Sequence, residues 1–255
     1  MTSSNEGVAL RATGLTKDFR GFRAVNDVDL TVAEGGVHAL VGPNGAGKTT
    51  LFNLLTGFLT PTSGTITVRG EDVTGLQPEQ IAHKGVARSF QITSLFDSLK
   101  PREHVELALQ SRTSLGKRFW RSEQLMRQFR PRAEELLEQV GLTHLAEKPA
   151  GELAYGQKRA LEMALVLALD PAIMLLDEPT AGMGIEDVTR TIELVRRIAV
   201  GRTVVFVDHN MHVVGSLADR VTVLQQGRVL AEGTYDEVRK DPRVITAYLG
   251  EASHA

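Results

Sequence analysis

The segment Gly42-Pro43-Asn44-Gly45-Ala46-Gly47-Lys48-Thr49 constrains this chain more than any other stretch, because it admits one local architecture. It satisfies G-x-x-x-x-G-K-[ST] at every fixed position. Before it, Val37-His38-Ala39-Leu40-Val41 is a short β-prone run, and after it Lys48 to Leu55 carries apolar residues at helical spacing. Strand, glycine-rich loop and helix in that order make a phosphate-binding loop. Gly42, Gly45 and Gly47 accept dihedrals closed to other residues, so successive N–H groups can curl around phosphate oxygens at a helix N-terminus. Gly42 through Thr50 are therefore the candidate nucleotide-binding residues. Lys48 is the cation for the β- and γ-phosphates, and the Thr49 hydroxyl is a ligand for Mg2+.

A second motif fits the first. Ile173-Met174-Leu175-Leu176-Asp177-Glu178 is an apolar strand ending in two carboxylates. In a parallel sheet that end lies at the edge where a phosphate loop sits. Asp177 is placed to hold Mg2+, and Glu178 to polarise a water attacking the γ-phosphate as general base.

Composition limits the alternatives. With 29 basic against 31 acidic residues in 255, no global charge points to nucleic acid, and none is expected as a partner. The absence of cysteine excludes disulfides and thiolate metal sites. MTSSNEGVALRA lacks the basic-then-apolar layout of a signal peptide, and the most apolar region, Leu161 to Leu176, is broken by Glu162, Asp170 and Pro171. That falls short of the ~20 apolar residues a membrane span needs, so membrane association is expected only through a partner protein.

Along the chain, β-like runs at Val8–Ala12, Val28–Val32 and Gly64–Gly70 suggest an antiparallel sheet beside the nucleotide core. From about Pro101 to Leu153 the composition turns to Leu, Glu, Gln and Arg at helical spacing, which reads as an inserted helical lobe. Within it, Arg112 to Arg132 holds seven basic residues and one acid, Glu123, with Phe119, Trp120 and Phe129 among them. A solvated helix face and a surface for a partner or lipid headgroups are both open readings. The last third alternates strands (173–176, 203–207, 220–224) with helices (185–198, 211–218), which predicts a mostly parallel sheet.

These motifs together resemble the ATP-binding subunit of an ABC transporter over essentially the whole chain. Leu153-Ala154-Tyr155-Gly156-Gln157 resembles the family signature LSGGQ, Gln91 in Ser89-Phe90-Gln91-Ile92 stands at the glutamine loop, and Asp208-His209 follows a strand as the switch histidine does. The resemblance implies a P-loop NTPase core with an N-terminal antiparallel β subdomain (1–91 and 154–255) and an inserted helical subdomain (92–153). It implies that Gln91 senses Mg2+ or the lytic water, that His209 bonds the γ-phosphate, and that Phe19 stacks on adenine, with a core position the other reading of Phe19. It also implies that Ala154, Tyr155, Gly156 and Gln157 close over the nucleotide of a second ATPase subunit, a paralogue or another copy.

The pattern departs from the family at Ala154 and Tyr155, which remove a hydroxyl and a glycine, and at Ala181-Gly182-Met183-Gly184, which lacks the usual aspartate. LAYGQ, EPTAGM and the segment Asp241 to Gly250 resemble the ATPases of branched-chain amino acid importers and their relatives for urea and amides. That branch implies hydrolysis of ATP with Mg2+ at the cytoplasmic face of the membrane. Two transmembrane permease subunits and, indirectly, an external solute-binding protein complete the machine. A low-activity subunit that completes a partner's site, and a soluble ABC ATPase, are the alternatives.

Overall fold

The computed structural model describes residues 7–89, 95–111 and 128–252. In chain order its main elements are β1 (Val8–Phe19), β2 (Phe22–Ala33), β3 (Val37–Val41), α1 (Lys48–Leu55), β4 (Ser63–Val68), β5 (Glu71–Asp72), α2 (Pro78–His83), β6 (Val86–Arg88), α3 (Pro101–Ser111), α4 (Arg130–Gln139) and α5 (Tyr155–Ala168). There follow β7 (Ile173–Asp177), α6 (Ile185–Ala199), β8 (Thr203–Val207), α7 (Met211–Leu217), β9 (Arg220–Gln225), β10 (Arg228–Gly233), α8 (Tyr235–Val238) and α9 (Pro242–Ala252). Contacts group the described residues of Met1–Arg88, Ala172–Ala181 and Ala199–Ala255 into one compact unit, and those of Ser89–Pro171 and Gly182–Ile198 into another. Grouped by contacts, α5 and nearly all of α6 go with the inserted helices, whereas the motif-based division assigns them to the nucleotide core.

The first unit contains both sheets. One is antiparallel, in the order β2-β1-β4-β5. Its long hairpin pairs Phe19 with Phe22, leaving Arg20-Gly21 as a two-residue turn with φ of 52° and 96°. Positive φ at both positions is what a type I′ turn requires, and the twist of that turn matches the strands. Asp18 Oδ1 accepts the Gly21 N–H at 2.7 Å. Gly14, just beyond the predicted run Val8–Ala12, lies inside β1 at a shift of register, where its N–H donates to Asp29 Oδ1 at 2.8 Å. The strands therefore run to twelve residues each rather than five.

The other sheet has the order β10-β9-β3-β8-β7-β6 and is parallel except where β10 pairs with β9. Every residue of β7 and β8 is buried, as expected for parallel strands covered on both faces. One apolar cluster joins Leu10, Leu30 and Ile66 to Phe52 and Leu55 of α1 and to Leu40, Leu175 and Val205 of the parallel sheet. The phosphate-loop helix is thus held by the same core that holds both sheets.

In the second unit α3, α4 and α5 bury Val105, Leu136, Leu137, Leu161 and Ala164. His104 on α3 takes the Phe96 N–H on Nε2 at 2.9 Å and meets the Lys100 carbonyl through Nδ1 at 3.0 Å, which pins the segment leading into the helix.

His38 is a polar residue inside the parallel sheet, its Nε2 2.8 Å from Thr222 Oγ1 on the neighbouring strand. Burial lowers its pKa to about 4; the Glu232 carboxylate opposes the shift and Arg220 adds to it. The unfolded chain takes up a proton near pH 6.5, which the folded one refuses until about pH 4. Stability from this residue is therefore complete above pH 6.5 and is lost as pH falls toward 4. Denaturant unfolding at pH 7 and pH 4.5 should show a His38→Asn variant losing about 2–3 kcal/mol less than the native chain over that interval.

Candidate nucleotide site

The phosphate loop follows β3 directly and ends in α1, whose N-cap is Gly47 with φ of 100° and no side-chain cap bond. Two features keep the N-terminus of α1 open to an anion. The N–H groups of a first helical turn have no partner within the helix, and the first turn of α1 carries no acidic side chain. The loop is also held from outside: Gly227 donates its N–H to the Ala46 carbonyl at 3.0 Å, and Asn26 donates to the Gly227 carbonyl at 2.8 Å. Lys48 Nζ donates to the carbonyls of Gly42 and Pro43 at 2.6 and 2.8 Å. Its ammonium therefore lies over the loop backbone, at the mouth of the helix. Asn44, Gly45 and Thr49 are exposed, while Pro43 and Ala46 are buried.

The glycines at both ends of the loop are forced by packing as well as by dihedral. A Cβ on Gly42 (φ 150°) would lie 2.2 Å from the Leu224 carbonyl oxygen, and one on Gly47 2.3 Å from that of Ala24. Both neighbours are backbone and cannot rotate away.

The carboxylates arrive by register. β3 pairs with β8 and β8 with β7, all parallel, with Leu40 opposite Val207 and Asp177 opposite that same residue. Their C-terminal ends therefore share one edge with the phosphate loop, two strand spacings or about 10 Å across. Asp177, buried, closes β7. Glu178 follows, half-buried, with φ of 47° and its N–H donated to the Val207 carbonyl at 2.9 Å. A left-handed glutamate is rare and costs of order 1 kcal/mol or more, so its backbone is held by β8. After β8, buried Asp208 accepts from Thr180 Oγ1 at 2.6 Å and from the Asn210 N–H at 2.8 Å. Asn210 in turn caps α7 through the His212 N–H. This network fixes the turn that presents His209, whose side chain is exposed.

Sequence reasoning overlooked Arg88. At the end of β6, beside β7, its Nη2 bonds Asp177 Oδ2 at 2.5 Å and its Nη1 bonds Asn53 Oδ1 of α1 at 2.6 Å. The available signal was a lone arginine closing a short apolar strand three residues before Gln91.

In the second unit the LAYGQ stretch opens α5. Ala154 is the N-cap, its N–H donating to Gln157 Oε1 at 3.0 Å. Alanine has no oxygen to return a bond to the first turn, so only half of a capping box forms. Tyr155 is 46% exposed, with the Arg159 guanidinium 5.6 Å from its ring centroid. Gly156 lies against α6: a Cβ there would come 3.1 Å from Asp187 Oδ1.

A family model described as ABC transporter matches residues 25–181, and one described as branched-chain amino acid ATP-binding cassette transporter matches 228–254. The chain is 42% identical over 253 residues to the high-affinity branched-chain amino acid transport ATP-binding protein BraF of Pseudomonas aeruginosa, covering 95% of this chain and 98% of BraF. The chain belongs to the ABC transporter family. The ADP conformation of MJ1267, an ATP-binding cassette of an ABC transporter, superposes with a TM-score of 0.84 at 29% identity, covering 95% of this chain and 99% of that one. A dimeric post-hydrolysis state of the ATP-binding cassette MJ0796, bound to ADP and phosphate, gives 0.74 at 26% identity, covering 89% and 98%.

As an ABC ATPase the chain binds and hydrolyses ATP, and the fold is the P-loop NTPase architecture that the motifs imply. Phe19 ends β1 at 43% exposure with the Lys17 ammonium 5.3 Å from its ring centroid, so it is not a core side chain. Gln91, Phe119 and Trp120 lie outside the described residues. Of the basic stretch, Arg130 and Arg132 pair along their own exposed helix face with Glu134 and Glu135. Among the described residues no helix is long and apolar enough to cross a membrane.

Because the Gly42 contact is with backbone, Gly42→Ala should lower the unfolding free energy by about 2–3 kcal/mol in a denaturant titration without nucleotide. An unchanged midpoint would show that the loop relaxes around the methyl group.

Proposed function

We propose that this chain is the ATP-hydrolysing subunit of an importer for branched-chain amino acids or a related small polar solute, acting with separate permeases. The observation that carries the reading is the shared C-terminal edge of β3, β8 and β7, which brings the phosphate loop with Lys48 and the Asp177-Glu178 pair to one side of the sheet. The match of residues 228–254 and the name of BraF support the branch.

Each residue has a distinct task. Backbone N–H groups of Gly42–Thr50 and the Lys48 ammonium bind the phosphates, and Phe19 offers its exposed ring to the adenine. Thr49 and Asp177 provide a hydroxyl and a carboxylate, hard oxygen donors of the kind Mg2+ takes together with nucleotide phosphates. When bound there, Mg2+ would neutralise charge on the β- and γ-phosphate oxygens. Glu178 accepts the proton of the attacking water, and His209 and Gln91 steady the water and the γ-phosphate.

The second half of the site comes from Ala154, Tyr155, Gly156 and Gln157 of another ATPase subunit, a paralogue or a second copy. The dimeric state of the ATP-binding cassette MJ0796, bound to ADP and phosphate, supports an assembly of two ATPase subunits. The assembly sits at the cytoplasmic face of the membrane on two permeases, which receive solute from an external binding protein.

In the purified chain with its partner ATPase, Glu178→Gln should retain ATP binding while turnover falls about 10²- to 10⁴-fold. Lys48→Ala should lose nucleotide binding itself, measured by equilibrium titration with a fluorescent ATP analogue. Undiminished turnover in Glu178→Gln would remove that residue from the role of base. Turnover that instead tracks only the partner's glutamate would favour a subunit that completes its partner's site. Proteoliposomes holding the permeases, the ATPases and the binding protein should take up labelled leucine in an ATP-dependent way. Uptake of amides but not leucine would move the substrate to the neighbouring branch.

A further inference from the structure

We propose that Arg88 is a positioning residue for the metal site, tying Asp177 to the phosphate-loop helix so that both oxygen donors for Mg2+ are set before metal arrives. The inference rests on the ATPase reading above, because it assigns Asp177 and Thr49 to the same ion.

The geometry is that of a fork with two grips. Arg88 Nη2 takes Asp177 Oδ2 at 2.5 Å, while Nη1 takes Asn53 Oδ1 at 2.6 Å and lies 3.4 Å from Thr56 Oγ1. The guanidinium carbon sits 5.7 Å from the Phe52 ring centroid, a cation–π contact that also comes from α1. The side chains of Arg88 and Asp177 are 10% and 8% exposed, which leaves this charge pair little contact with water.

Helical spacing identifies which face of α1 is gripped. Asn53 is four residues beyond Thr49 and Thr56 seven beyond, so all three lie along one stripe of the helix. Arg88 therefore connects the stripe that begins at Thr49 with the carboxylate at the end of β7. A hydroxyl and a carboxylate meant for one small ion, which tolerates little departure from octahedral geometry, are linked by a single rigid plane. Lysine does not reproduce that plane, since its donors all radiate from one nitrogen on a flexible stem, whereas the guanidinium holds Asp177 and Asn53 through two nitrogens fixed in one plane. Arg88 touches neither substrate nor metal, and it acts through Asp177.

The test is a Mg2+ titration of nucleotide binding by the full chain, read by a fluorescent ATP analogue. Electron paramagnetic resonance of Mn2+ in place of Mg2+ serves as a second readout of the coordination sphere. Arg88→Lys keeps the buried cation for Asp177, and Asn53→Ala keeps the ion pair but cuts the link to α1. Both variants should need about tenfold more Mg2+ for half-saturation and show a broadened Mn2+ signal, with nucleotide affinity in the presence of chelator unchanged. Native half-saturation and an unaltered Mn2+ signal in both variants would overturn the inference and leave Arg88 a structural ion pair. A native chain whose nucleotide binding ignores Mg2+ would overturn the metal assignment of Thr49 and Asp177, and the inference with it. Native Mg2+ dependence with unaffected variants overturns the inference alone.

Discussion

The parallel register of β3, β8 and β7 is the constraint on which the rest of the catalytic unit depends. Parallel strands end on the same side, so three chain segments far apart in sequence deliver the phosphate loop, the Asp177-Glu178 pair and the Asp208-His209 turn to one edge. The strands hold that register because their side chains are buried on both faces, where a slip would misplace every apolar contact at once. Backbone bonds then extend the order past the strand ends. The Glu178 N–H reaches the Val207 carbonyl, and Thr180 reaches Asp208, so the two turns carrying Glu178 and His209 are laced to each other.

A second layer of order comes from contacts that have nothing to do with phosphate chemistry. The loop backbone rests on Ala24 and Leu224 with no room for a methyl group, and the turn at Gly227, packed against Ala24, bonds to the Ala46 carbonyl. The loop thereby acquires a preset shape, which lets the N–H groups of α1 bind an anion without first ordering the chain. Strain at Glu178 belongs to the same logic. A glutamate in the left-handed region persists because its surroundings over-determine it, and such positions gather where side-chain direction matters.

The departures from the family signature have local physical meaning. Serine at the N-cap of α5 would return a bond to the first turn; Ala154 cannot, and the helix start relies on Gln157 alone. Tyr155 replaces a glycine with an exposed ring packed on Arg159, which itself pairs with buried Glu162 at 2.8 Å. Gly182, with φ of 74°, faces the Tyr155 hydroxyl, so the aromatic at the signature and the glycine in the following turn fit as a pair.

What the sequence by itself determined was everything encoded by local spacing: the phosphate loop between strand and helix, the apolar strand ending in two acids, the signature opening a helix, and from these the fold class and the family. Those patterns are legible because each requires fixed residue types at fixed short intervals. Tertiary structure alone decided the rest. It extended β1 through Gly14 by a bulge, carried Phe19 to the surface, and placed α5 and α6 with the inserted helices by contact. It also brought Arg88 onto Asp177 and Asn53, a junction of residues 89 and 35 positions away in the chain. No periodicity announces such a meeting, because it follows from which strand lies beside which in the sheet, and that order is set by burial of the whole core.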